Sequence, residues 1–193
     1  MLTDRITGAF TFRKGVYAEV AKDPAFTTTA WMIVAVVQFL NQFGTRAVAG
    51  RGVVGLVVGG LIAAAFAVLA FALSVFFISW ISRSLFNSPA TFDELQRSLG
   101  LAQVWSVIGL FGLVGVISPA LGCILAPVTL AAGIAALIAY FVALRETTGL
   151  SVGQCIVAVI VAAIVQGVVL AVVGSILAVI GLGAAAAAGS LIQ

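Results

Sequence analysis

Four stretches of this 193-residue chain carry no charge at all: residues 24–45, 52–82, 98–144 and 147–193. A bilayer crossing needs about 20 consecutive, mainly apolar residues. Each stretch is long enough for one crossing, and 98–144 is long enough for two. The chain is 63% hydrophobic and 8% charged, whereas a soluble domain is about 45–50% apolar and about 25% charged. The surrounding solvent is therefore lipid. Backbone N–H and C=O groups find no water there, so the chain must pair them internally, and without alternating strand patterns that means helices. The expectation is an all-α polytopic membrane protein: a five-span transmembrane helix bundle. Its spans fall at about 25–44, 53–82, 101–117, 123–144 and 152–175. The alanine-rich tail 176–193 reads as a frayed continuation of the last helix.

The charge that is present is concentrated. Seven of the fifteen charged residues precede Pro24. Within this lead, 1–24, Phe12, Val16 and Val20 recur every four residues with Tyr17 beside them, which predicts a short amphipathic helix lying in the interface, apolar side down. Asp23-Pro24 then opens the first span. Asp caps a helix N-terminus, and Pro suits the first helical position because the N–H it lacks would be unpaired there. The lead is longer than a signal-peptide n-region and the apolar run exceeds an h-region, so the first span is expected to remain uncleaved. Two further helix starts are written as capping boxes. Thr91 to Glu94 opens a short helix with Phe92, Leu95 and Leu99 on one face, and Ser151 to Gln154 opens the fifth span.

Lys and Arg counts set orientation. With five spans, the lead, the connection 83–98 and the turn 145–151 share one side, which holds Arg5, Arg13, Lys14, Lys22, Arg83, Arg97 and Arg145. The other side holds Arg46 and Arg51. The amino end is expected in the cytoplasm and the carboxyl end outside, in a cytoplasmic (inner) membrane. Arg83, Asp93, Glu94, Arg97, Arg145 and Glu146 then share one aqueous layer, where at least one of the three arginines is expected to pair with a carboxylate. Cys123 and Cys155 fall at opposite faces, too far apart to bridge.

The composition excludes several chemistries. There is no histidine, so His-ligated haem, chlorophyll and zinc are ruled out, as is His acid–base catalysis. Two cysteines are too few for a thiolate metal site, and no nucleophile–base pair or phosphate loop is written. No cofactor and no enzymatic activity are expected. A net charge of +3, scattered along the chain, offers no footprint for nucleic acid. No acidic residue falls within a span, which argues against an ion-driven pump.

Two sets of residues remain as candidates. Gln38, Asn41 and Gln42 share a face of the first span, and Gln166 sits in the fifth. Amides in hydrocarbon either bond across to another helix or line a path for a small solute. Gly55 and Gly59 are one turn apart, and Gly109, Gly112 and Gly115 recur at every third position. Such residues let helix backbones approach, either inside the bundle or against another subunit.

Three segments carry a resemblance: YAEVAKDPAFTTTAWMIVAVVQFLNQFG, SPATFDELQRSLGLAQVWSVIGLFGLV and ALRETTGLSVGQCIVAVIV. In order and spacing they resemble bacterial members of the Yip family, integral membrane proteins named for binding Ypt/Rab GTPases in eukaryotes. The resemblance covers roughly residues 10–175, and its more specific parts are Asp23-Pro24 and the ELQRSLGLAQ segment. It implies five spans with a cytosolic amino end. It does not imply Rab binding, because eukaryotic members carry a long cytosolic region where this chain has a short lead. The function expected is a non-enzymatic membrane interaction protein, an accessory subunit or membrane-organising factor, with lipids and other membrane subunits as partners. A small-solute channel or permease is the alternative.

Overall fold

The computed structural model describes residues 2–46, 53–111, 119–165, 167, 168 and 171. All regular structure among them is helical. Three helices are long and apolar enough to cross a membrane, over Pro24–Asn41, Ala64–Phe86 and Ile124–Thr148. A shorter apolar helix covers Val152–Val165.

The lead is two helices, not one: α1, Leu2–Phe10, and α2, Val16–Ala21. The expected single amphipathic helix fails at Phe12 and Gly15, both with left-handed backbone (φ 52° and 83°). Arg13 N–H donates to the Gly8 carbonyl at 2.8 Å and closes the end of α1, as left-handed helix terminations do. The break folds α2 back into the protein. Val16, Tyr17 and Val20 are fully buried in the core, where the periodicity had placed them in the acyl boundary. Relative to a water-exposed lead, burying each valine contributes about 1.5–3 kcal/mol.

Asp23 caps the next turn, accepting from Ala25 N–H at 3.1 Å. The chain makes a 3-10 turn over Pro24–Phe26 and continues as α3, Thr27–Arg46. Trp31 of α3 meets Phe71 edge-on at 6.0 Å, a packing role, not an interfacial one. Helix α4, Val53–Phe86, runs 34 residues, about 51 Å at 1.5 Å per residue. That exceeds the roughly 30 Å hydrocarbon core, so its ends reach past it. Asn87, at φ 52°, ends it.

Helix α5, Phe92–Ala102, begins at the expected capping box, with Thr91 and Glu94 each bonding the other's backbone N–H. It is not a polar connection on the surface. Every residue from Leu95 to Ala102 is buried, wedged among α2, α3, α4 and the next long helix. The chain leaves it as a 3-10 segment, Gln103–Phe111; of the expected span 101–117, residues 101–111 are described, and they form the end of α5 followed by this 3-10 segment, not a separate spanning α-helix. Helix α6, Pro119–Thr148, starts four residues before the expected position 123 and runs through Pro127. Pro119 sits at its first position, where a fixed φ is pre-organised. Gly149, at φ 68°, ends α6, and its N–H donates to the Arg145 carbonyl at 3.0 Å. Helix α7, Val152–Val165, opens on the second capping box, with Ser151 N–H donating to Gln154 Oε1 at 3.0 Å.

The core is gathered where α2, α5 and parts of α3, α4, α6 and α7 meet, with Ala9 of α1 at its edge. Tyr17, Val75, Ile78, Ile81, Leu95, Leu99 and Leu144 are its large members. Farther along the helices the large apolar side chains turn outward, among them Leu69, Leu130 and Ile134, as a lipid-facing surface requires.

Candidate functional site

Three features stand out: a polar latch at the charged end, a cavity between the long helices, and an outward-facing apolar groove. Arg97 of α5 supplies the latch. Its Nε donates to the Ala21 carbonyl at 2.8 Å, its Nη2 reaches the same oxygen, and its Nη1 donates to Thr27 Oγ1 at 3.1 Å. The guanidinium fork thus ties α5 to the end of α2 and the beginning of α3, and a cation at a helix C-terminus is favourably placed. Across the lead, Glu146 Oε1 accepts from Gly15 N–H at 2.8 Å, Trp105 Nε1 donates to the Ala9 carbonyl at 3.1 Å, and Phe12 stacks on Trp105 at 5.3 Å.

The expected pairing of at least one of Arg83, Arg97 and Arg145 with a carboxylate is not borne out: the ion pairs seen among the described residues involve none of the three, and Arg97 bonds the Ala21 carbonyl and Thr27 instead. Glu94 is held by its own cap and Glu146 by the lead. Ion pairs form within the lead instead, Arg5 with Asp23 at 2.7 Å and with Glu19 at 3.4 Å, and Arg13 with Glu19 at 3.4 Å. The hydrogen bond from Arg5 does most to hold the Asp23 carboxyl below its ordinary range; loss of solvent opposes it, and the Ala25 N–H and the positive charges of Arg5 and Arg97 reinforce it. Burial, then the Glu146 charge, pushes the Tyr17 hydroxyl up to about 12. Arg83, Asp93 and Arg145 are exposed.

The cavity, about 400 Å³, lies between α3, α4, the 3-10 segment, α6 and α7. Four neutral polar side chains line it: Gln38, Ser74, Gln103 and Tyr140. Ser74 Oγ and Tyr140 Oη stand 3.4 Å apart. That is long for an O–H···O bond, so both hydroxyls keep hydrogen-bonding capacity. The rest of the wall is apolar, Phe71 and Ile78 included.

The candidate amides separate. Gln38 faces this cavity, while Asn41 lines a second one of about 230 Å³ with Trp105, Ser106 and Thr129. The side chains of Gln42 and Gln166 lie outside the described residues. Gly55 and Gly59 belong to α4 and Gly109 to the 3-10 segment, but the surroundings of all three, together with Gly112 and Gly115, lie outside them too. The close backbone approach that the structure does show is at Gly100, where an added Cβ would meet Ala30 Cβ at 3.2 Å and the Ala30 carbonyl at 3.3 Å. Sequence reasoning missed Gly100, Ser74, Gln103 and Tyr140, although isolated polar residues within uncharged stretches were a signal for the last three.

A third feature faces outward. Between α3 and α4 lies an apolar surface groove of about 700 Å³, lined by Ala35, Ala64 and Ala65 together with Val36, Phe39 and Leu61; Ala64 is buried, while Ala35 and Ala65 are exposed. No protein-family model, curated protein or solved structure matches this chain.

Proposed function

We propose that the chain is a non-enzymatic, five-span inner-membrane interaction protein of Yip-like architecture, amino end cytoplasmic, acting as an accessory subunit or membrane-organising factor. The observation that carries this reading is the α3–α4 groove. Lipid tails are as apolar as leucine, so burial alone drives little helix association, and close packing at small residues must supply it. An apolar groove that presents three alanines beside Val36, Phe39 and Leu61 is that kind of surface, and its occupant in this reading is one transmembrane helix of a partner subunit. The test is copurification from native membranes in mild detergent, with Ala35→Leu and Ala65→Leu filling the groove. The partner is lost while the chain still inserts. Undiminished copurification, or a wild-type chain that is monomeric in native membranes, rejects the reading.

The 400 Å³ cavity favours a second reading, a small-solute permease using Gln38. It requires flux into vesicles holding the purified chain alone, abolished by Gln38→Leu.

A further inference from the structure

The cavity has a chemistry more specific than a solute path. Its polar groups are two amides and two hydroxyls, and no charged residue lines it. Amides and hydroxyls both donate and accept. A charged ligand would sit in this wall without a counter-charge, at a cost of several kcal/mol. The complementary ligand is therefore uncharged, with both donor and acceptor atoms on its head.

Depth and access narrow it further. Ser74 lies nine residues before Arg83 on α4, and Tyr140 five before Arg145 on α6, so the pair sits about 14 and about 8 Å along the helices from the charged end. That is inside hydrocarbon. Toward the charged end the cavity meets packed core: Ile78, one turn beyond Ser74, is 1% exposed, and Leu99 and Leu101 of α5 are fully buried. Sideways it is open. Leu137 of α6, which lines it, is 72% exposed, and Ala163 of α7, which also lines it, is exposed.

We propose that this cavity is a lateral binding site for an uncharged membrane amphiphile with hydroxyl and carbonyl groups on its head, which enters from the bilayer between α6 and α7. The head meets Gln38, Ser74, Gln103 and Tyr140, and the apolar body follows the gap beside Leu137 out into lipid. The proposal does not depend on a partner subunit, so its test uses the purified full chain.

The chain is placed in phosphatidylcholine nanodiscs containing dioleoylglycerol or dioleoyl phosphatidic acid, which share acyl chains but differ in head charge. Lipid retained on the protein is read by native mass spectrometry. Dioleoylglycerol is retained at least about tenfold more than phosphatidic acid, a ratio that about 1.4 kcal/mol of the charge penalty already produces. Ser74→Ala with Tyr140→Phe preserves shape and removes both hydroxyls, and it lowers retention about tenfold. Ala163→Phe blocks the mouth from the lipid side without touching a polar group and lowers retention similarly. Equal retention of the two lipids, or retention unchanged in both variants, overturns the proposal. So does binding of glycerol supplied in water to nanodiscs lacking dioleoylglycerol, which would assign the cavity to an aqueous solute.

Discussion

Arg97 and Ala21 are 76 positions apart, yet the guanidinium of one closes on the backbone carbonyl of the other through two nitrogens. Arg97 is 7% exposed, so the contact is shielded from competing water. It joins a helix that the sequence presents as a surface connection to a lead that it presents as an interfacial tail.

Removing that fork should loosen the whole charged end. Arg97→Met leaves the buried Ala21 carbonyl without its donor, at about 1–3 kcal/mol for a buried group left unsatisfied, and releases the half-buried Thr27 hydroxyl to water. Arg97→Lys recovers only part of this, because an ammonium cannot reproduce the planar fork. The readout is protease cleavage within residues 11–15, faster in Arg97→Met than in Arg97→Lys, and slowest in wild type. Equal rates in all three would show that Arg97 does not hold the lead.

Two glycines should respond in opposite directions. Gly100→Ala forces a Cβ against Ala30, where backbone as well as side chain is in the way, and overpacking of this kind costs about 1–3 kcal/mol. At Gly133 a Cβ meets nothing within 4 Å, so Gly133→Ala is neutral or gains up to about 1 kcal/mol of helix propensity. Thermal unfolding in detergent orders them Gly100→Ala, wild type, Gly133→Ala. A Gly100→Ala protein as stable as wild type would mean that α3 and α5 are not in contact there.

Alkaline pH should release the lead through Tyr17. Its hydroxyl titrates near 10 when exposed and about 12 when folded. The folded state holds the proton more tightly, so this contribution is complete below pH 10 and is lost as pH rises from there through about 12. Lead docking, followed by the same proteolysis, weakens across that window, and Tyr17→Phe flattens the dependence. An identical alkaline profile in the variant would remove Tyr17 as its cause.

Cys155 is free and 0% exposed. In a Cys123→Ser background, a membrane-permeant maleimide should label it only after denaturation. Rapid labelling of the folded protein would contradict the packing of α7 against the core.

What the sequence made legible was local or compositional. Asp23-Pro24, Thr91 to Glu94 and Ser151 to Gln154 marked helix starts because a cap needs only residues two or three apart. The membrane character followed from uncharged length. What escaped depended on distant partners. Leu95 to Ala102 includes Gln96, Arg97 and Ser98, so its polarity argued for a surface, and only the placement of Ala21 and Thr27 makes it an interior. Phe12, Val16 and Val20 kept a helical period across a break that neither the spacing nor Gly15 alone could locate. Gln38 and Asn41 share a helix face by spacing but border two cavities, because the 3-10 segment and α6 divide the space they look into.

The bond from Gly15 to Glu146 spans 131 positions, and that distance is also a delay. At about 5–20 residues per second, synthesis needs roughly 7–26 s to travel from one partner to the other. Throughout that interval α2 has no helix α6 to close against, and Val16, Tyr17 and Val20 have no finished core to enter. Helix α2 is thus made early and finds its place late, and it must be tolerated, or held by something else, until the third uncharged stretch and Glu146 behind it have been made.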